Sequence, residues 1–221
     1  MFQRPDPSQL KVTHKNRAPV FLSLGLLFVF LYLLTNHYPI RPPTTFGFSK
    51  WDLMIPFWPW TAWIYVSDYA FPLVAGFALK TTRSMTRVSF AFAFMICVAT
   101  MTFAGFPTYV EREEFFPLTD VSTLLYWVRF VDTPLNSFPS LHVAIVWLSF
   151  LAVLSEGLPR VKWLLGWALL IAFSTLTTKQ HTLMDVTAGF VLGWVSWWLG
   201  QFNFETRSSD KRVWARFVQR K

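Results

Sequence analysis

Two histidines stand where an otherwise apolar chain gives them little reason to be. His142 opens the run LHVAIVWLSFLAVLS just after Phe138, Pro139 and Ser140, and His181 closes TLTTKQH before a further apolar run. Unperturbed imidazole titrates near neutral pH, so either ring can take up or give a proton under physiological conditions. Asp185 follows His181 by four residues, a spacing that brings two side chains onto one face of a helix. A carboxylate in that position fixes the tautomer of the imidazole and makes its other nitrogen a better base or nucleophile. The second histidine can then supply or remove a proton. Pro139 and Ser140 suit the opening of a helix, whose free N–H groups attract anions, and Lys179 adds a cation nearby. Taken singly these are ordinary residues at a polar–apolar boundary. Taken together they describe a site for an anionic, phosphate-like group.

The elements that must position them are apolar. The chain has 221 residues, 53% of them hydrophobic, 19% aromatic and 14% charged, with a mean hydropathy of +0.38. A soluble domain carries about 25% charged residues, so this one is short of surface fit for water. Stretches free of Asp, Glu, Lys and Arg cover 18–40, 53–67, 69–79, 88–110, 133–155, 163–178 and 186–204. About 20 helical residues cross a bilayer core. The pattern therefore predicts an all-α integral membrane bundle of six transmembrane helices, at 19–36, 57–79, 88–108, 140–156, 161–178 and 183–203. Residues 1–18 then form a basic leading segment, 19–204 the membrane domain and 205–221 a basic tail. No small-residue cleavage pattern follows the first span, which reads as a retained helix.

Six spans put both termini on one side of the membrane, together with 15 of the 20 lysines and arginines. The positive-inside rule makes that side cytoplasmic. His142 begins the fourth span and His181 ends the fifth, so both face the other side, periplasmic in a bacterial inner membrane or lumenal in a eukaryotic endomembrane. The net charge of +8 is on this reading a signal of topology, with no nucleic-acid partner expected. A single cysteine, Cys97, allows neither an internal disulfide nor a thiol metal site. With no Gly-rich phosphate loop and four scattered histidines, no metal or other cofactor is expected. The segment TDVSTLLYWVRFVD has helical apolar spacing and predicts a short amphipathic helix on the membrane surface, a connector or a lid. Asp68 is the one acid deep within a span. An intramembrane carboxylate is a functional candidate by default, but its distance in sequence from the histidines favours a structural role, bonded to a neighbouring helix through Ser67 or Tyr65.

These residues carry a resemblance. PSLH at 139–142 resembles the PSGH motif of the type 2 phosphatidic acid phosphatase superfamily, and HTLMD at 181–185 resembles the end of its third motif, Ser-Arg, five residues, His, three residues, Asp. The resemblance implies that His181 attacks phosphorus to give a phosphohistidine, that Asp185 orients it, and that His142 protonates the leaving oxygen and then activates the acceptor. The Ser-Arg pair would fall at Ser174 and Thr175, so the arginine is lost, and Lys179 is the cation available to replace it. The first motif, Lys, six residues, Arg-Pro, is nearly matched by Lys80, Arg87 and Val88, but six-span topology puts these on the wrong face. On the correct face stands FPTYVERE, with Arg112 as the expected phosphate ligand and Tyr109 as a weaker neighbour. The altered motifs are similar to the branch containing inositol-phosphorylceramide synthases and, more loosely, sphingomyelin synthases. The implied activity is a metal-independent lipid phosphate phosphatase acting on a membrane lipid phosphate. Head-group phosphotransfer to a lipid alcohol is the alternative, and a non-catalytic scaffold or transporter the most distant one. No protein partner is implied.

Overall fold

The computed structural model describes residues 14–112, 120–158 and 161–218, with side chains described over 17–112, 123–158 and 161–202. The side chains of the basic tail fall outside these residues. Among those described the protein is all-α. In chain order the helices are α1 (His14–His37), α2 (Lys50–Met54), α3 (Ala62–Val66), α4 (Ala70–Ala78), α5 (Thr82–Gly105), α6 (Asp120–Val131), α7 (Leu141–Ser155), α8 (Val161–Thr177) and α9 (Leu183–Val218), with 3-10 turns at Pro59–Thr61 and Ser67–Tyr69.

The expectation of six membrane-length helices is not met. Among the described residues three helices are long and apolar enough to cross a bilayer: Arg17–His37 in α1, Thr82–Gly105 in α5, and Leu183–Phe202 in α9. The others fall short for local reasons. α7 has 15 residues, about 22 Å at the helical rise, and stops where Gly157 takes a left-handed φ of 63°. α8 has 17 residues and ends in a left-handed residue at Lys179, φ 55°. The expected span 57–79 is assembled from four short pieces. Pro72 has no N–H with which to close a helical bond to the carbonyl of Asp68, and the chain tightens into a 3-10 turn over Ser67–Tyr69 just before it. α9, conversely, continues as helix well beyond 203, and α1 begins within the segment expected to lead into the membrane domain.

α7 sits at the centre. It packs on α9, α8, α4 and α5, while α1 lies against α5. Close approach of α7 and α9 depends on small residues. A Cβ added at Gly189 would stand 2.5 Å from the carbonyl oxygen of Ser140, and one at Gly193 would stand 2.7 Å from that of Ala144. Met95, Phe103, Leu141, Ala144 and Leu148 fill the main core between these helices. The outer faces are apolar as well: Leu22, Leu26 and Phe30 on α1, Trp163 and Leu170 on α8, and Trp194 and Trp198 on α9 all project outward. Of the most apolar window of α1 only 6% is buried within the protein. Such a surface is suited to lipid and not to water. The expected amphipathic segment is a helix, α6, with Leu125 buried beneath and Tyr126, Trp127 and Phe130 exposed.

The bundle has two chemically distinct ends. At one, Arg17 donates to the carbonyls of Phe77 and Leu79, Lys80 to that of Glu156, and Arg87 to Gln201. At the other lie the start of α7, the end of α8 and the start of α9. Lys80 meets the far end of α7, about 20 Å of helix from His142, and Arg87 meets α9 about 24 Å of helix from Asp185.

Candidate active site

The turn TTKQHT is shaped by how α8 ends. Lys179 is left-handed, its N–H bonds the carbonyl of Leu176, and the N–H groups of Gln180 and His181 both reach that of Thr175. This is a Schellman-type cap, and it turns the chain toward α7. His181 therefore precedes α9 and is not on it, and the His–Asp pair expected from the spacing forms across the turn that leads into the helix. Its Nδ1 stands 3.0 Å from the carbonyl oxygen of Ser137 and 3.7 Å from Asp185 Oδ2. The carbonyl is the hydrogen-bond acceptor. A carbonyl can only accept, so Nδ1 carries a proton, and in the neutral ring the lone pair is then on Nε2.

Asp185 is engaged with its own helix. Its Oδ2 accepts from the N–H of Thr182 at 2.7 Å, while its N–H donates to Thr182 Oγ1 at 3.3 Å, a reciprocal N-terminal cap. Its carbonyl also accepts from the N–H of Ser140, which ties the two motifs together. A second carboxylate, Asp52 on α2, accepts from the N–H of Leu183 at 2.7 Å, so the positive end of α9 is doubly occupied. The start of α7 differs. Ser140 caps it without a side-chain bond, and its Oγ is buried with no hydrogen-bond partner. The buried side-chain amide of the neighbouring Gln180 has none either.

His142 lies beside His181, with ring centroids 5.7 Å apart. Its Nδ1 donates to Asp68 Oδ2 at 2.6 Å, and its Nε2 meets the hydroxyl of Tyr65 at 2.5 Å. Asp68 is thus no remote structural acid. The short pieces between 59 and 78 bring it directly to the histidine pair. Sequence spacing gave no sign of this, since 74 residues separate the two. The one clue was the cost of an acid in so apolar a segment.

Arg112 is at this end of the bundle, its guanidinium donating to the carbonyls of Asp132 at 2.5 Å and Thr133 at 3.2 Å, and facing Asp132 Oδ2 at 3.4 Å. Asp132 also accepts from the hydroxyl of Tyr32. Lys179 is directed elsewhere: its ammonium donates to the carbonyls of Asp52 and Ile55 at 2.7 and 2.6 Å. Tyr109 contributes through its backbone, in a bridge to Leu135 and a bond to Thr44. Thr175, where the family motif has arginine, is buried and bonds back to Ala172 of its own helix. Arg129 on α6, which the motifs did not single out, donates to the carbonyl of Thr178 at 3.0 Å.

A cavity of about 810 Å³ opens beside His142. Its polar end is formed by Tyr32, Asp68, Asp132 and His142, and it runs between α1 and α4 along Phe28, Gly25 and Leu73 to Arg17.

An all-α membrane protein with two adjacent histidines, one of them lining an apolar cavity, defines a class, and comparison of the sequence with family models places the chain within it. Residues 56–207 match the model of the PAP2 superfamily, and the chain belongs to that superfamily. No curated protein and no solved structure matches it.

Proposed function

We propose that this protein is a lipid phosphate phosphatase that works through a phosphohistidine intermediate. The observation that carries the reading is that His142, at the polar end of the long apolar cavity, has the ring of His181 beside it. A phosphoryl group seated there touches both rings while its lipid tail lies along α1. His181, held through Nδ1 by the Ser137 carbonyl, attacks phosphorus through Nε2. The bond from phosphorus to the lipid oxygen breaks, and His142 gives that oxygen a proton. His142 then takes a proton from water as the water oxygen bonds phosphorus and the P–N bond breaks. The partnerless Oγ of Ser140 at the uncapped start of α7 and the amide of Gln180 are the groups best suited to meet the phosphoryl oxygens. Arg112 supplies positive charge at the same end.

The basic residues support a site on the non-cytoplasmic face, with the termini in the cytoplasm. Arg17, Lys80, Arg83, Arg87 and Lys162 lie at the end opposite the histidines, and Arg41, Lys50, Arg112, Arg129 and Lys179 at the histidine end. The bias that supports this orientation is therefore that of the whole sequence, 15 to 5. Phosphotransfer to a lipid alcohol is the second reading, favoured by the apolar character of the cavity, which suits a lipid hydroxyl as well as a lipid phosphate.

The test is a screen of lipid phosphates with purified protein in detergent, with and without a lipid alcohol, scored for free phosphate and for new lipid. Phosphate release in the absence of an alcohol is the expected result. His181→Ala and His142→Ala should each lose at least about a hundredfold. Retention of labelled phosphate on a protein lacking His181 would contradict its role as nucleophile. New lipid without free phosphate would favour the second reading.

A further inference from the structure

Asp68 is 2% exposed, with one oxygen on His142 and the other without a hydrogen-bond partner. A buried carboxylate is expensive unless well paired, and the local chain is built to deliver it. Pro72 breaks the helical register at Asp68, and the chain just before it tightens into the 3-10 turn that holds Asp68. That turn is braced from α8, where Trp167 Nε1 donates to Ser67 Oγ at 2.8 Å and its ring packs on Phe71. The two histidines consequently have different partners. His181 has a neutral carbonyl on Nδ1, which suits a ring that must present a lone pair. His142 has a carboxylate, which suits a ring that must carry a second proton.

We propose that Asp68 is the positioning residue for His142, holding its Nδ1–H so that Nε2 faces the leaving oxygen as the proton donor. This rests on the reading of His142 as acid and then base. The Tyr65 hydroxyl, 2.5 Å from Nε2, has the position that a leaving alcohol oxygen takes in this arrangement. In the first half-reaction the Nε2 lone pair of His181 forms the P–N bond, the P–O electron pair leaves with the lipid oxygen, and the Nε2 proton of His142 passes to that oxygen. His142 is then neutral, with Nδ1–H still on Asp68. In the second half-reaction Nε2 recovers a proton from water as the P–N bond breaks.

A leaving group that needs no proton separates this role from a structural one. Asp68→Asn, His142→Ala and the double variant, purified as full chains, are compared in single turnovers on a lipid phosphate and on 4-nitrophenyl phosphate. On the lipid phosphate, Asp68→Asn is expected to slow release of the alcohol by at least about tenfold and His142→Ala by more. On the nitrophenyl ester both deficits should shrink to a few-fold, and the double variant should be no slower than His142→Ala. Equal losses of Asp68→Asn on the two substrates, or losses that multiply in the double variant, overturn the role of Asp68. Equal losses of His142→Ala overturn instead the reading of His142 on which it rests. A readout independent of turnover is nuclear magnetic resonance of histidine-labelled protein. The low-field Nδ1 proton that disappears in His142→Ala should also disappear in Asp68→Asn, and its persistence there would overturn the contact itself.

Discussion

Lys179 holds a left-handed backbone position that costs a residue with a side chain about 1 kcal/mol relative to glycine. What offsets the strain is its ammonium, which ties the turn before His181 to the carbonyls of Asp52 and Ile55. Lys179→Met should leave those two carbonyls short of a charged donor and destabilise the protein by about 1–3 kcal/mol. The check is a lowered thermal midpoint in detergent with little change in inhibition by inorganic phosphate. An unchanged midpoint with weakened phosphate inhibition would restore Lys179 as a phosphate ligand. The contrast with His142 and His181 shows what was legible at this scale. That the two histidines lie side by side could be read from the sequence because PSLH and HTLMD are local patterns in which neighbouring residues agree. The destination of a flexible cation or a buried acid is decided by residues far along the chain. Lys179 and Asp68 were therefore read by charge and position alone, Lys179 toward the phosphate and Asp68 away from the histidines, whereas Lys179 bonds the carbonyls of Asp52 and Ile55 and Asp68 bonds His142.

At the scale of elements, apolar composition showed where helices lie but not how far each one runs. α1, α5 and α9 were legible as long apolar helices because nothing interrupts them. The expected span 57–79 was misread because a charge-free stretch says nothing of helical continuity: Pro59 and Pro72 cut it, and the break carries Asp68 to the site. α7 and α8 were bounded correctly to within two residues, yet they are short because of a left-handed residue just beyond each. Glycines within helices are a further feature with two meanings that sequence does not distinguish. Gly193 of α9 faces the backbone of α7, and a Cβ there would stand 2.7 Å from the Ala144 carbonyl; Gly166 of α8 has nothing within 4 Å. Gly193→Ala must push α7 and α9 apart, against a helix-propensity gain of about 1 kcal/mol, whereas Gly166→Ala keeps the gain alone. Thermal unfolding should show a lower midpoint for the first and an equal or higher one for the second. Because α7 carries His142 and α9 holds Asp185 against Ser140, Gly193→Ala should also lower activity. Equal midpoints for the two variants would mean that the α7–α9 contact is looser than the geometry indicates.

At the scale of the whole molecule, the cavity joins the two chemically distinct ends. From Tyr32 to Arg17 it follows α1 over fifteen residue steps, about 22 Å at the helical rise. That exceeds the ~15 Å depth of one leaflet, half of the ~30 Å hydrocarbon core, so the cavity is long enough for an extended lipid tail whose head lies at His142. Its wall on the α1 side is poorly buried within the protein, which gives a tail a route from the bilayer that does not pass through water. A cavity lying along the tail should make turnover depend on chain length, and a side chain placed midway should shorten the tail it accepts. Gly25 lines the cavity, and a Cβ added there meets nothing within 4 Å, so Gly25→Trp starts from open space at the cavity wall. Burial contributes about 0.8 kcal/mol per methylene, and excluding even two methylenes should lower kcat/KM for a long-chain lipid phosphate by about tenfold. A short-chain phosphate with the same head group, too short to reach Gly25, should be turned over as before, and the thermal midpoint should be unchanged. Equal losses on both substrates would mean that Gly25→Trp disturbs the site itself, and no loss on either would mean that the tail lies outside this cavity.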